Sequence, residues 1–255
     1  MDKPKVFISH ITEERQLAEL IKTQVQKDFL GLLDVFVSSD SISIAVGSKW
    51  LNEIDEALQS AQVELILCSH DSVRRPWVNF EAGAGWVKGI PVVPVCHTGM
   101  RPVDLPIPLN MLQSIEASDK AGWEKTYHLL AKKLGSVVPH ADFAGLVANV
   151  KGFEHEYGIV REITGAVQAL IKLLPDLEQI FKPTPVHKAA AGDVSDIVLD
   201  KMRPHLDLLQ GRGMIAYATG SNKIVFGTTG GGNMVELKIE VRDAYYKIAP
   251  KVMGK

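Results

Sequence analysis

In the first 135 residues, short β-favouring apolar runs alternate with segments of helical spacing, and few folds accommodate that order. The runs are Val6-Phe7-Ile8, Leu33 to Val37, Val63 to Cys68 and Ile90 to Cys96. They are of strand length and apolar at consecutive positions, the pattern of strands covered on both faces. After the first run, Leu17, Leu20, Ile21 and Val25 recur at helical spacing, with Thr12 placed as the cap and Glu13 and Glu14 at the positive end. The segment from Ser38 to Gly47 reads as a polar loop. Ser48 is placed to cap a second helix with Leu51, Ile54 and Leu58 on its apolar face, and a third runs from Pro76 to Lys88, ended by Gly89. Strands and helices in this order imply a parallel sheet with helices on both sides and right-handed crossovers. The predicted class is α/β, a flavodoxin-like doubly wound sheet. Ligands in such sheets sit beyond the carboxyl ends of the strands, so chemistry is expected in the loops after Ile8, Val37 and Cys68.

Residues 99–118 hold several prolines and no long element, and Trp123 to Leu134 reads as the last helix of a domain spanning 1–135. The pattern then changes. Residues 136–192 read as a helical connector. One long helix is predicted over 154–181, with Ile159, Ile163, Val167, Leu170 and Leu174 on one face and a kink at Pro175, followed by an exposed linker over 182–192. Residues 193–255 read as a smaller α+β domain. Asp193 is placed to cap a helix through Leu209, and Gly220-Ser221-Asn222 to join the strands Met214 to Thr219 and Lys223 to Thr228 as a hairpin. Gly230-Gly231-Gly232 then reads as a turn before Met234 to Val241. Two helices and a hairpin have a loose likeness to a winged helix, which would bring Arg203, Arg212 and Lys223 toward the phosphates of a nucleic acid. The plainer reading of this region is oligomerisation, or binding of a partner or small activator.

Composition narrows the function classes. A formal net charge of -2 gives the whole molecule no bias toward nucleic acid or anionic membrane. The two cysteines, Cys68 and Cys96, lie in apolar runs and read as small core hydrophobes; no metal-ligand spacing appears, so no metal is expected. No apolar stretch approaches the roughly 20 residues that span a bilayer, and the first residues lack a signal-peptide core, so a cytoplasmic protein without membrane association is expected.

The segment Trp77-Val78-Asn79-Phe80-Glu81-Ala82-Gly83-Ala84-Gly85-Trp86 concentrates the chemistry. Trp77 and Glu81 are four apart on a helix and share a face, and Ala84 and Gly85 add almost no bulk on the next turn. A carboxylate then lies beside an aromatic plate above a floor of small residues, where a nucleotide fits. Gly83, Gly85 and Gly89 do not make a dinucleotide fingerprint, because that motif belongs in a strand-to-helix turn and these lie within and after a helix. Trp86 reads as a core aromatic, and Arg74 and Arg75 as a solvated loop.

Taken in order, Lys5 to His10, Phe36-Val37-Ser38-Ser39-Asp40, Gly47-Ser48-Lys49-Trp50, the helix bearing Ile54, Ala57, Leu58 and Ala61, and the Trp77-x-x-x-Glu81 motif resemble TIR domains over about residues 3–135, bacterial members above all. The resemblance implies an NAD⁺ glycohydrolase with Glu81 as its catalytic carboxylate, giving nicotinamide and ADP-ribose or a cyclic form. It makes Ser9, His10, Trp50 and Trp77 the candidate substrate-binding residues and NAD⁺ the substrate, with no bound cofactor. It also implies activation by self-association, through the loop after the second strand, and a role in bacterial antiphage defence. That loop carries Ile44-Ala45-Val46-Gly47 where the family usually has Pro-Gly. The alternative is a non-enzymatic TIR scaffold in signalling.

Overall fold

The computed structural model describes residues 3–38, 56–227 and 230–253, with the backbone alone for 221–227 and 230–232. The chain divides into two compact units, residues 1–156 and 157–255, and the division falls inside a long helix.

In the first unit, five strands form one sheet: β1 (Lys5–Ser9), β2 (Asp34–Val37), β3 (Ala61–Cys68), β4 (Val92–Cys96) and β5 (Ile115–Glu116). Their order is β2-β1-β3-β4-β5, and every pairing is parallel. This is the flavodoxin-like winding predicted from the alternation. Its direction reverses between β1 and β3, which places a crevice at the carboxyl ends of those strands. The central strand β3 is buried at every residue but Gln62, as a strand covered on both faces must be. Helices α1 (Arg15–Asp28), α2 (of which residues 56–60 are described), α3 (Pro76–Lys88) and α4 (Lys120–Leu134) flank the sheet. Ser48, Leu51 and Ile54 of the second predicted helix lie outside the described residues; Leu58 is buried.

Helix ends differ from expectation in instructive ways. Thr12 does not cap α1. Thr12–Glu14 form a 3₁₀ turn with Ile11 at its N-cap position, and Glu14 folds back to accept from the Ile11 N–H at 3.4 Å. Glu14 is buried among partners from distant strands, which no local signal encodes. At α3, Pro76 takes a first-turn position and Gly89 adopts the left-handed C-cap, φ 73°, as the sequence predicts. α4 starts at Lys120 because the Asp119 carboxylate accepts from the N–H groups of Ala121 and Gly122.

In the second unit the predicted boundaries shift. The long helix is α5 (Phe143–Leu173), which starts well before residue 154 and stops instead of kinking. Pro175 is the reason: it disfavours helical geometry in the residue before it, and Leu174 is extended at φ -140°, ψ 90°. A short helix, α6 (Glu178–Phe181), follows a 3₁₀ turn. The expected linker supplies β6 (Ala189–Ser195), and α7 (Asp196–Gly211) is capped by Ser195, not Asp193, its Oγ accepting from Val198 N–H at 3.3 Å. β7 (Ile215–Gly227) runs through the predicted hairpin turn. Between Thr219 and Asn222 it holds one residue more than its partner, so the Gly-Ser-Asn segment is a β-bulge. The triglycine is likewise paired, within β8 (Gly230–Val241).

The resulting antiparallel sheet has the order β6-β8-β7. It packs with Ile163, Val167 and Leu170 of α5 and with Leu199, Met202, Leu206 and Leu209 of α7. One helix, α7, lies between β6 and β7, where the winged-helix likeness needs a helix-turn-helix pair. Two short helices, α8 (Asp243–Tyr246) and α9 (Ala249–Val252), follow the sheet. Among the described residues, no helix is long and apolar enough to cross a membrane.

Candidate active site

Three elements converge on Glu81. It lies on the second turn of α3, facing the sheet, and is 0% exposed. Ser9, the last residue of β1, donates its hydroxyl to Glu81 Oε2 at 2.5 Å. Ser38, one residue beyond β2, donates to the same oxygen at 3.4 Å, its backbone N–H held by the Ile8 carbonyl. Trp77, one turn back on α3, donates its indole N–H to Glu81 Oε1 at 2.7 Å. Three donors from three elements aim the carboxylate at the carboxyl edge of the sheet, beside the strand reversal. The short Ser9 contact is typical of a hydroxyl bonded to an ionised oxygen. Trp77 is half-buried and stacks on Phe80, with ring centroids 5.3 Å apart.

A second buried carboxyl group reaches the same helix, and the Trp77-x-x-x-Glu81 motif does not point to it. Glu64, in the middle of β3, is 0% exposed, and neither of its oxygens has a hydrogen-bond partner among the described residues. Burial, and next the charge of Glu81, push its pKa up to about 9, so it is a neutral acid at pH 7. Gly85, one helical turn after Glu81, makes the space. A Cβ at that position would collide with Glu64 Oε2 and meet Val92 Cγ2 at 3.0 Å. The small floor expected from Ala84 and Gly85 is thus the seat of another acid. The available signal is a lone Glu inside the otherwise apolar run Val63 to Cys68.

Of the other candidates, His10 is not brought to Glu81. It follows Ser9 at the end of β1, is fully buried, and its electrostatic neighbours are Glu14 and Arg15 of the α1 side. Burial lowers its pKa to about 4, so it is a neutral core imidazole. Trp50 lies outside the described residues. Trp86, expected in the core, is 68% exposed. Arg75 pairs with Glu13 at 3.2 Å on the surface, in keeping with a solvated loop.

A separate buried polar cluster ties the strand ends together. Glu14 Oε1 accepts from Ser69 Oγ at 2.5 Å and lies 3.1 Å from His97 Nε2, while His97 Nδ1 meets Thr98 Oγ1 at 2.9 Å. These residues follow β1, β3 and β4, so the cluster braces the loops around the crevice. No group of side chains with metal-ligand geometry occurs among the described residues.

The first unit is therefore a doubly wound α/β domain whose third helix presents a buried, triply donated carboxylate at the switch point. The family model described as the TIR domain matches residues 6–131, and the chain is a TIR-domain protein. No curated protein matches the chain. Among solved structures, substrate-bound BacF from Bacillus subtilis aligns over 98% of this chain and 68% of its own, at 11% identity and a TM-score of 0.29, a likeness too slight to carry an argument.

Proposed function

We propose that the TIR unit is an NAD⁺ glycohydrolase with Glu81 as its catalytic carboxylate. The observation that carries this reading is the convergence of Ser9, Ser38 and Trp77 on Glu81 at the strand reversal. Breaking the C1′–N1 bond of NAD⁺ leaves the electron pair on the pyridine nitrogen, so nicotinamide departs neutral and needs no general acid. Positive charge builds on the ribose. An ionised carboxylate fixed in a water-poor site stabilises that charge without reorganising. Water then attacks C1′ and releases a proton, giving ADP-ribose; attack by the adenine ring of the same molecule gives a cyclic product.

The serine hydroxyls now bonded to Glu81 mark where ribose hydroxyls would bind, and Trp77 would wall the pocket. Glu81 has no accessible surface in the single chain. Substrate entry therefore requires rearrangement, which fits activation by self-association of TIR units. Residues 157–255 would receive the trigger, a partner or small activator, and NAD⁺ depletion or a nucleotide signal would serve bacterial antiphage defence. The test is nicotinamide release by the full chain, concentrated or artificially clustered. Wild type should consume NAD⁺ and Glu81→Gln should lose at least 100-fold, a typical loss when one stabilising group is removed. Equal turnover by the two proteins would refute the assignment.

The same burial supports a second reading, a TIR scaffold in which Glu81 only holds α3 to the ends of β1 and β2. It predicts no NAD⁺ loss by wild type in any assembled state, with Glu81→Gln altering stability alone.

A further inference from the structure

We propose that Glu64 and Glu81 work as a pair in which Glu64 holds the one proton and Glu81 the one charge, making Glu64 a positioning residue of the pocket. What the pocket does rests on the NAD⁺ reading above; the division of the proton does not. Both carboxyl groups are fully buried. Glu81 lies on α3, and Glu64 meets the same helix one turn further on, at Gly85, near enough for the charge of Glu81 to act on it. Two charges that close in a low-dielectric interior are strongly unfavourable, so one group stays protonated.

Hydrogen bonding decides which. Glu81 receives Ser9, Ser38 and Trp77, all of which favour a carboxylate, whereas Glu64 receives nothing among the described residues. The proton therefore resides on Glu64. Among the described residues, the titratable groups nearest in sequence and register on the neighbouring elements are otherwise engaged or neutral. Lys88 of α3 has its ammonium engaged by the carbonyls of Leu58, Gln59 and Ala61. Lys5 of β1 lies level with Ala61, before Glu64 in β3. Cys68 of β3 and Cys96 of β4 are thiols that burial keeps neutral. Tyr127 of α4 has its hydroxyl bonded to Asp28 at 2.8 Å.

While Glu64 is neutral, it does not repel the Glu81 carboxylate from Ser9 and Trp77. Once Glu64 ionises it has no donor among the described residues, and the repulsion displaces Glu81 from the position its donors fix. The gap at residue 85 enforces this closeness: a glycine lets the acid reach the helix, and any side chain there would exclude it.

Infrared titration of the full-length wild type, Glu64→Gln and Glu81→Gln from pH 5 to 10 tests the pair. A neutral-acid carbonyl band from a buried carboxyl should be present in wild type at pH 7, absent in Glu64→Gln, and lost as pH passes about 9. In Glu81→Gln it should be lost at lower pH, because the opposing charge is gone. No such band in wild type, or an undiminished one in Glu64→Gln, overturns the proposal. In the NAD⁺ assay, wild-type kcat/KM should fall about tenfold per pH unit above the same pH, and the profile of Glu64→Gln, scaled to its own maximum, should lack that limb. An identical alkaline limb in both proteins overturns the positioning role. If wild type never consumes NAD⁺, the glycohydrolase reading falls, while the infrared band still decides the pair.

Discussion

Replacing Glu64 by glutamine keeps its size and removes its proton, so the stability of the two proteins should diverge with pH by an amount the structure sets. The pKa of Glu64 rises from an ordinary 4.5 to about 9 in the native chain. Between those values the native state holds a proton that the unfolded state has released. Wild-type stability is then fully present below about pH 4.5 and declines as pH rises, by about 1.4 kcal/mol per pH unit, until the native acid ionises. At pH 7 the deficit is about 3 kcal/mol, and at pH 9 about 6 kcal/mol, both following from the same linkage. The Glu64→Gln variant, with no proton to lose at this position, has no such slope. Urea unfolding at half-unit steps from pH 5 to 9 measures the difference. Tryptophan fluorescence reports the first unit alone, since Trp50, Trp77, Trp86 and Trp123 all fall within it. The variant should match wild type within about 1 kcal/mol at pH 5 and be more stable by about 3 kcal/mol at pH 7. Parallel curves across the range would refute the claim that Glu64 is buried as a neutral acid.

Other perturbations follow from the same geometry. Trp77→Phe keeps the stacking plate but removes the 2.7 Å donor to Glu81, so denaturation should show a loss of about 1–2 kcal/mol and nicotinamide release should fall. Gly85→Ala forces Glu64 aside and should lose about 1–3 kcal/mol, an overpacking penalty that shrinks in the Glu64→Ala background when the double-mutant cycle is measured. Glu14→Ala removes the buried acceptor of the Ser69 hydroxyl and the 3.1 Å neighbour of His97 and should lower stability by about 1–3 kcal/mol, in contrast to Glu13→Ala on the surface. Cys68 and Cys96 are buried, and burial pushes the Cys96 thiol up to about 12, so neither should react with a thiol reagent at pH 8 until the chain unfolds.

Much of this architecture was written locally. Apolar runs in register with helical segments are enough to specify a parallel sheet, because a strand buried on both faces admits no alternation. Pro76 and Gly89 punctuate α3 by backbone chemistry that needs no tertiary partner. The Trp77-x-x-x-Glu81 spacing put two site residues on one face for the same reason, helix periodicity alone.

The second unit is less legible in its sequence, since its decisive interactions are pairings between distant segments. Ala189 to Gly192 carry no strand pattern and become β6 only by hydrogen bonding to β8. The Gly-Ser-Asn and triglycine segments look like turns in sequence, yet the sheet absorbs both.

For this protein the sequence by itself determined the winding of the first domain, the limits of its third helix and the carboxylate on it, all consequences of periodicity and caps within a few residues. Only the tertiary structure decided which groups reach that carboxylate. Ser9 and Ser38 meet Glu81 across 72 and 43 residues, Glu64 comes to lie under Gly85, and Glu14 turns inward to Ser69 and His97. Charge and protonation depend on burial and on donors brought from other strands, and neither exists until the sheet has formed.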